Sequence, residues 1–125
     1  MKYQDLLAYQ KGFSLAMKIF DLSKSFPKEE KFSLTDQIRR SSRSVCVNMA
    51  ESYRKRDYPK HFHSKLTDSD AENSETHTWL EFAFACKYIT EETFILFSKE
   101  NQEVGKLINY MTQNPNKFGV KTNDK

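Results

Sequence analysis

The chain predicts an all-α fold, an up-down-up-down antiparallel four-helix bundle, and three observations carry that expectation. It has only three Gly and three Pro in 125 residues, too little punctuation for many short strands. Its apolar residues recur at helical spacing over long stretches, as amphipathic helices require. The breaks between those stretches are short, which makes consecutive helices antiparallel neighbours. One domain is expected over residues 1–113, with a flexible tail over 114–125.

The first helix is expected from about Tyr3 to Lys24. Leu6, Phe13, Met17 and Phe20 share one face with Gln10, while Leu15, Ile19 and Leu22 form a second apolar line on the helix's back. "SFPKEEKF" ends it, because Pro27 cannot continue a helix, and Phe26 and Phe32 are expected to tuck down as plugs. Ser33 is placed to cap the second helix, with Asp36 in its first turn. Leu34, Ile38, Val45 and Met49 make its core line, and Ser41, Ser42 and Ser52 leave room for a neighbouring backbone. Pro59 opens the third helix, capped by Asp57 and running to about Lys87. Phe62, Leu66, Leu80 and Phe84 share its inner face with Ser69, Asn73 and Thr76, and Trp79, Phe82 and Cys86 lie on another. Thr90 caps the fourth helix ahead of Glu91 and Glu92. Phe94, Phe97, Val104, Ile108 and Met111 point inward to about Thr112.

Charge is unevenly spread. Between Ser33 and Lys65 there are eight Lys/Arg against three Asp/Glu; between Leu66 and Gly105 there are two against nine. That asymmetry suits steering of a polyanion or attraction between copies of the chain. Apolar lines on the backs of the first and third helices, through Leu15, Ile19, Leu22, Trp79 and Phe82, exceed what one small bundle needs and predict self-association. Cys46 and Cys86 lack metal-type spacing and read as apolar residues of a reducing compartment. No stretch approaches the ~20 apolar residues that span a bilayer, nor the apolar run of a signal peptide, so a soluble, cytoplasmic protein without a membrane partner is expected.

"YQDLLAYQKG" in the first helix, "FPKEEKFSLTDQIRRSSRSVCVNMAES" through the second and "WLEFAFACKYI" ending the third resemble one bacterial family. It is the four-helix bundle family first met in reading frames inside 23S rRNA intervening sequences, which includes relatives of the accessory variability protein of diversity-generating retroelements. The resemblance spans about Tyr3 to Met111. It implies a bundle assembled into a homopentameric ring, without known enzymatic activity or cofactor. In the retroelement relatives it implies RNA or DNA and a reverse transcriptase, a ribonucleoprotein enzyme, as partners. Two positions depart from the family pattern: Cys46 stands where Pro is frequent, and Ser52 where Gly is frequent.

The second helix carries the chemistry worth weighing. Arg39, Arg40, Arg43 and Arg54 fall within a sector of about 100°, with Val47 and Ala50 between them. Lys55, Arg56 and Lys60 extend the strip towards the third helix. Three readings stay open: a solvated face with Asp36–Arg40 and Glu51–Lys55 pairs, a subunit seam where the arginines meet a neighbour's acidic third helix and Val47 and Ala50 make an apolar patch, or a grip on nucleic-acid phosphates. Gln37, Ser44, Asn48 and Glu51 form an adjacent polar stripe, read as a structural hydrogen-bond set. No catalytic, metal or cofactor site is expected. No acidic residue precedes a His by three positions, as a di-iron bundle requires, and His61, His63 and His77 do not converge. "SFPK" has the Ser-x-x-Lys spacing without supporting motifs, and three scattered glycines make no phosphate loop.

Overall fold

The computed structural model describes residues 1–121. Four helices, α1 (Leu7–Ser23), α2 (Leu34–Arg54), α3 (Pro59–Ala85) and α4 (Glu91–Gln113), are joined by short turns. Each packs against its chain neighbours, and α1 closes the circle against α4. Every neighbouring pair is antiparallel, because contacts advance along one helix as they retreat along the other. Ser41 meets Thr76 while Val45 meets Ser69, and Lys11 pairs with Glu103 while Lys18 pairs with Glu100.

Helices two to four bury most of the lines their spacing predicts. Leu34, Ile38, Val45 and Met49 of α2, Phe62, Leu66 and Leu80 of α3, and Phe97, Val104, Ile108 and Met111 of α4 form one core. Burying each such side chain contributes about 1.5–3 kcal/mol. Phe84 and Phe94 are half-buried and stack at 4.8 Å between centroids, closing the α3–α4 seam.

Helix α1 is the other way round. Leu15 and Ile19 are 3% and 0% exposed, whereas Phe13 and Met17 are 51% and 49% exposed. The inward stripe combines those two branched residues with Ala8, Gly12, Ala16 and Ser23. Small residues let α1 lie close to α2: a Cβ added at Gly12 would stand 3.3 Å from Cys46 Sγ. A stripe of Phe13 and Met17 would hold the two helices apart. The helix also starts later than expected, since Tyr3–Asp5 form a separate 3₁₀ turn and Leu6 is extended.

Buried polar groups set the register. Ser41 and Thr76 hydroxyls pair at 2.8 Å, and Ser69 donates to the Val45 carbonyl at 2.7 Å. Asn73 and Asn101 exchange bonds: Asn73 Nδ2 donates to the Asn101 carbonyl at 2.9 Å, and Asn101 Nδ2 to the Asn73 carbonyl at 3.0 Å. Gly105 leaves the space that the Asn73 amide occupies, 3.3 Å from where a Cβ would sit.

The corners differ from expectation. Phe26 plugs the first turn at 8% exposure, but Phe32 is 85% exposed. Ser33 does not cap α2 through its side chain; the Glu30 carboxylate accepts from the Leu34 N–H at 3.2 Å and from the Ser33 hydroxyl at 2.5 Å. Tyr88 donates to the same carboxylate at 2.8 Å, tying the α3–α4 corner to the start of α2. At the head of α3, Tyr58 and not Asp57 occupies the cap position. Thr90 caps α4 as expected, accepting from the Thr93 N–H. Helix α3 ends at Ala85 in a Schellman turn, with Tyr88 N–H on the Ala83 carbonyl and Lys87 N–H on that of Phe84. Lys87 holds the left-handed conformation, φ 64°, where glycine is usual.

The expected tail is corrected over 114–121. Pro115–Phe118 form a 3₁₀ turn, Phe118 meets Tyr110 edge-on, and Val120 is 4% exposed in the core. An apolar Phe118–Val120 pair supplies contacts that a frayed end would waste. The rest of that expectation, residues 122–125, lies outside the described residues.

Three outcomes follow from these contacts. Asn101→Ala removes the amide that donates to the Asn73 carbonyl and Oδ1, while Asn73 Nδ2 keeps the Asn101 main-chain carbonyl. It should cost about 1–3 kcal/mol in urea unfolding, with the double alanine variant costing less than the two singles summed. Lys87→Gly relieves the left-handed residue and should stabilise by about 0.5–1 kcal/mol, read as a rise in Tm. Hydrogen bonds from Ser33, Tyr88 and Leu34 hold the Glu30 pKa below its ordinary value. Its contribution is therefore complete above the unfolded carboxyl pKa and lost as pH falls through the lowered folded one. The Tm gap between wild type and Glu30→Gln should shrink over that acid window and stay constant above it.

Candidate nucleic-acid interface

Every arginine of the chain lies between Arg39 and Arg56, on α2 or just past its end. Among the described residues none forms an ion pair with a carboxylate, while the ion pairs present use Lys11, Lys18, Lys24, Lys65 and His77. The expected Asp36–Arg40 and Glu51–Lys55 pairs are not among them. Glu51 instead meets Lys65 of α3 at 2.8 Å, which raises the Lys65 pKa by that hydrogen bond.

The strip divides into anchored and outward members. Arg39 turns to α1: its Nε donates to Ser23 Oγ at 2.7 Å, and its guanidinium lies 4.7 Å from the Phe20 ring centre. Arg43 approaches the same ring at 5.4 Å but stays exposed. Arg56 stacks on Tyr53 at 3.7 Å and donates from Nε to the Tyr53 carbonyl. Arg40, Arg54, Lys55 and Lys60 are exposed. Lys60 sits in the first turn of α3, whose cap makes no side-chain hydrogen bond. The positive dipole end of α3 therefore adds to the potential of Lys55 and Lys60.

The polar stripe is not the register network. Asn48 donates to the Ser44 carbonyl one turn back at 2.9 Å, and Glu51 leads out to Lys65. The buried interhelical bonds come from Ser41, Ser69, Asn73, Thr76 and Asn101. Their signal in the sequence was polar residues at core positions of α3.

The subunit-surface candidates separate in the same way. Leu15 and Ile19 are corrected to core residues, and Leu22 is half-buried against them. Val47 and Phe82 are 55% and 53% exposed. Trp79 is half-buried and packs on Phe82 at 5.7 Å. Val47 faces an open groove of about 510 Å³ between α1 and α2, with Phe13 and Met17 opposite and Arg43 and Arg54 on its rim. Cys46 lines its floor, with a thiol pKa pushed up to about 11 by burial.

The model of the 23S rRNA-intervening sequence protein family matches residues 4–110, nearly the whole bundle. The chain belongs to that family. A crystal structure of a protein of unknown function from the S23 ribosomal protein family, from Bacteroides thetaiotaomicron, is similar over 90% of this chain and 99% of its own. The two share 29% sequence identity and superpose with a TM-score of 0.78. No curated protein matches the chain. Both departures from the family pattern are absorbed locally: α2 runs unbroken through Cys46, and Ser52, fully buried, returns its hydroxyl to the Met49 carbonyl at 2.6 Å. Among the described residues no helix is long and apolar enough to cross a membrane.

Proposed function

We propose that the protein is a non-enzymatic, self-associating bundle that binds the phosphate backbone of nucleic acid, alone or as part of a ribonucleoprotein. The observation that carries this reading is the concentration of all five arginines on α2 or just past its end, none paired with a carboxylate among the described residues. Guanidinium groups keep their charge and match phosphate with two parallel hydrogen bonds. Anchoring of Arg39 and Arg56 on aromatic rings stiffens both ends of the strip, so less side-chain freedom is lost on binding. Arg40, Lys55 and Lys60 are its outward contacts, beside the positive end of α3. Phosphate contacts carry no sequence information, so affinity is expected to depend on salt and little on sequence.

Self-association multiplies a weak patch by effective concentration. A ring, pentameric by the family resemblance, would repeat the strip at regular intervals, and a reverse transcriptase or another ribonucleoprotein enzyme is the corresponding protein partner. A second reading, a purely structural homo-oligomer, is favoured by the apolar groove between Arg43 and Arg54, which suits a subunit contact.

Anisotropy titrations with structured RNA, single-stranded DNA and duplex DNA at two salt concentrations test the proposal. Wild type should bind at low salt and weaken steeply as salt rises. Combined Arg40→Ala, Lys55→Ala and Lys60→Ala should reduce affinity at least tenfold with assembled mass unchanged. Wild type that binds none of the three at low salt leaves the structural reading.

A further inference from the structure

The groove has apolar walls and a positive rim. Phe13 and Met17 of α1 face Val47 and Ala50 of α2, with about half of each of the first three exposed to solvent. Arg43 and Arg54 bracket it, neither meeting a carboxylate of its own chain among the described residues. Glu51 also lines the rim, but its charge is engaged by Lys65. Three half-exposed apolar side chains bordering one open channel are unusual on a chain content to stay single.

The complementary surface lies elsewhere on the same molecule. Phe82 is two residues from the fully buried Leu80 of α3, about 200° further round the helix, and so projects outward. It packs with Trp79 into an aromatic ridge. Carboxylates flank the ridge: Glu75 accepts from Trp79 Nε1 at 3.2 Å, and Glu81 lies 3.8 Å from His77. Apolar meets apolar and cation meets anion when the ridge enters the groove. The two surfaces are carried by different helices, the groove by α1 and α2 and the ridge by α3, so the pairing is head-to-tail.

We infer that the α1–α2 groove is the seat of a second copy of this chain, which inserts its Trp79–Phe82 ridge and sets Glu75 and Glu81 against Arg43 and Arg54. The inference rests on the self-association proposed above and gives it a polarity. Each subunit uses one groove and offers one ridge, and a head-to-tail contact of this kind closes into a ring when its rotation permits. Arg43 and Arg54 are then subunit contacts, and the outward Arg40, Lys55 and Lys60 remain for phosphate.

The test is light scattering on the full chain and its surface variants, with circular dichroism confirming that helicity is kept. Val47→Asp disables the groove and Phe82→Ser the ridge. Each should reduce the assembly to the 14.8 kDa subunit. Mixing the two variants should give a one-to-one pair and nothing larger, because one supplies a working ridge and the other a working groove. Arg43→Glu with Arg54→Glu should also abolish assembly, and adding Glu75→Arg with Glu81→Arg in the same chain should restore it. Wild type of single-subunit mass at all concentrations overturns self-association itself. Wild type that assembles while both single variants keep its mass, or variants that never pair when mixed, overturns this seat and leaves self-association standing.

Discussion

The close contact of α2 with its two neighbours is the constraint on which the rest of the molecule depends. Ser41, Ser42 and Ser52 on one helix, and Gly12 and Ala16 on another, keep the layers thin. Thin layers bring hydroxyls within reach of the opposite helix, so Ser69 bonds the Val45 carbonyl and the Ser41 hydroxyl bonds that of Thr76. A greasy seam alone tolerates sliding by a turn; a seam with paired hydroxyls and a reciprocal Asn73–Asn101 exchange does not, since each displaced group would be buried without a partner.

The same closeness explains why the arginines face outward together. An α2 whose inner half is spent on small and apolar side chains has only its outer half for long charged ones. Three of the five then find aromatic rests, Arg39 and Arg43 on Phe20 and Arg56 on Tyr53, and among the described residues none has a carboxylate to neutralise it. A positive field next to an apolar groove is thus a by-product of how the core is filled, and it is available to whatever partner the protein meets.

The helices were legible because each has a periodic apolar line with a stop at its end. The α2 line of Leu34, Ile38, Val45 and Met49 and the α4 line ending in Met111 needed nothing else. Helix α1 was not legible to the same depth. Periodicity locates its two apolar stripes but says nothing about the thickness of the neighbour, and Gly12 beside Cys46 decides that. For the same reason Leu15 and Ile19 read as surface when they are core. The arginine strip was legible as a cluster, while the tethering of Arg39 depends on Ser23, sixteen positions away in sequence. Glu30 as the cap of α2 escaped notice because the carboxylate reaches in from a separate 3₁₀ turn. Phe118 and Val120 lie beyond the last regular helix, where composition gives no hint of docking.

Lys87 carries a consequence for how the protein meets proteases. It is an exposed basic residue on a short connection, the kind of position trypsin favours. Yet its left-handed backbone is locked by two nested hydrogen bonds, and a protease must draw its substrate out as an extended strand. Scission there would first require the α3–α4 hairpin to unwind, so the rate of nicking would gauge how frequently that bend opens rather than how accessible it looks.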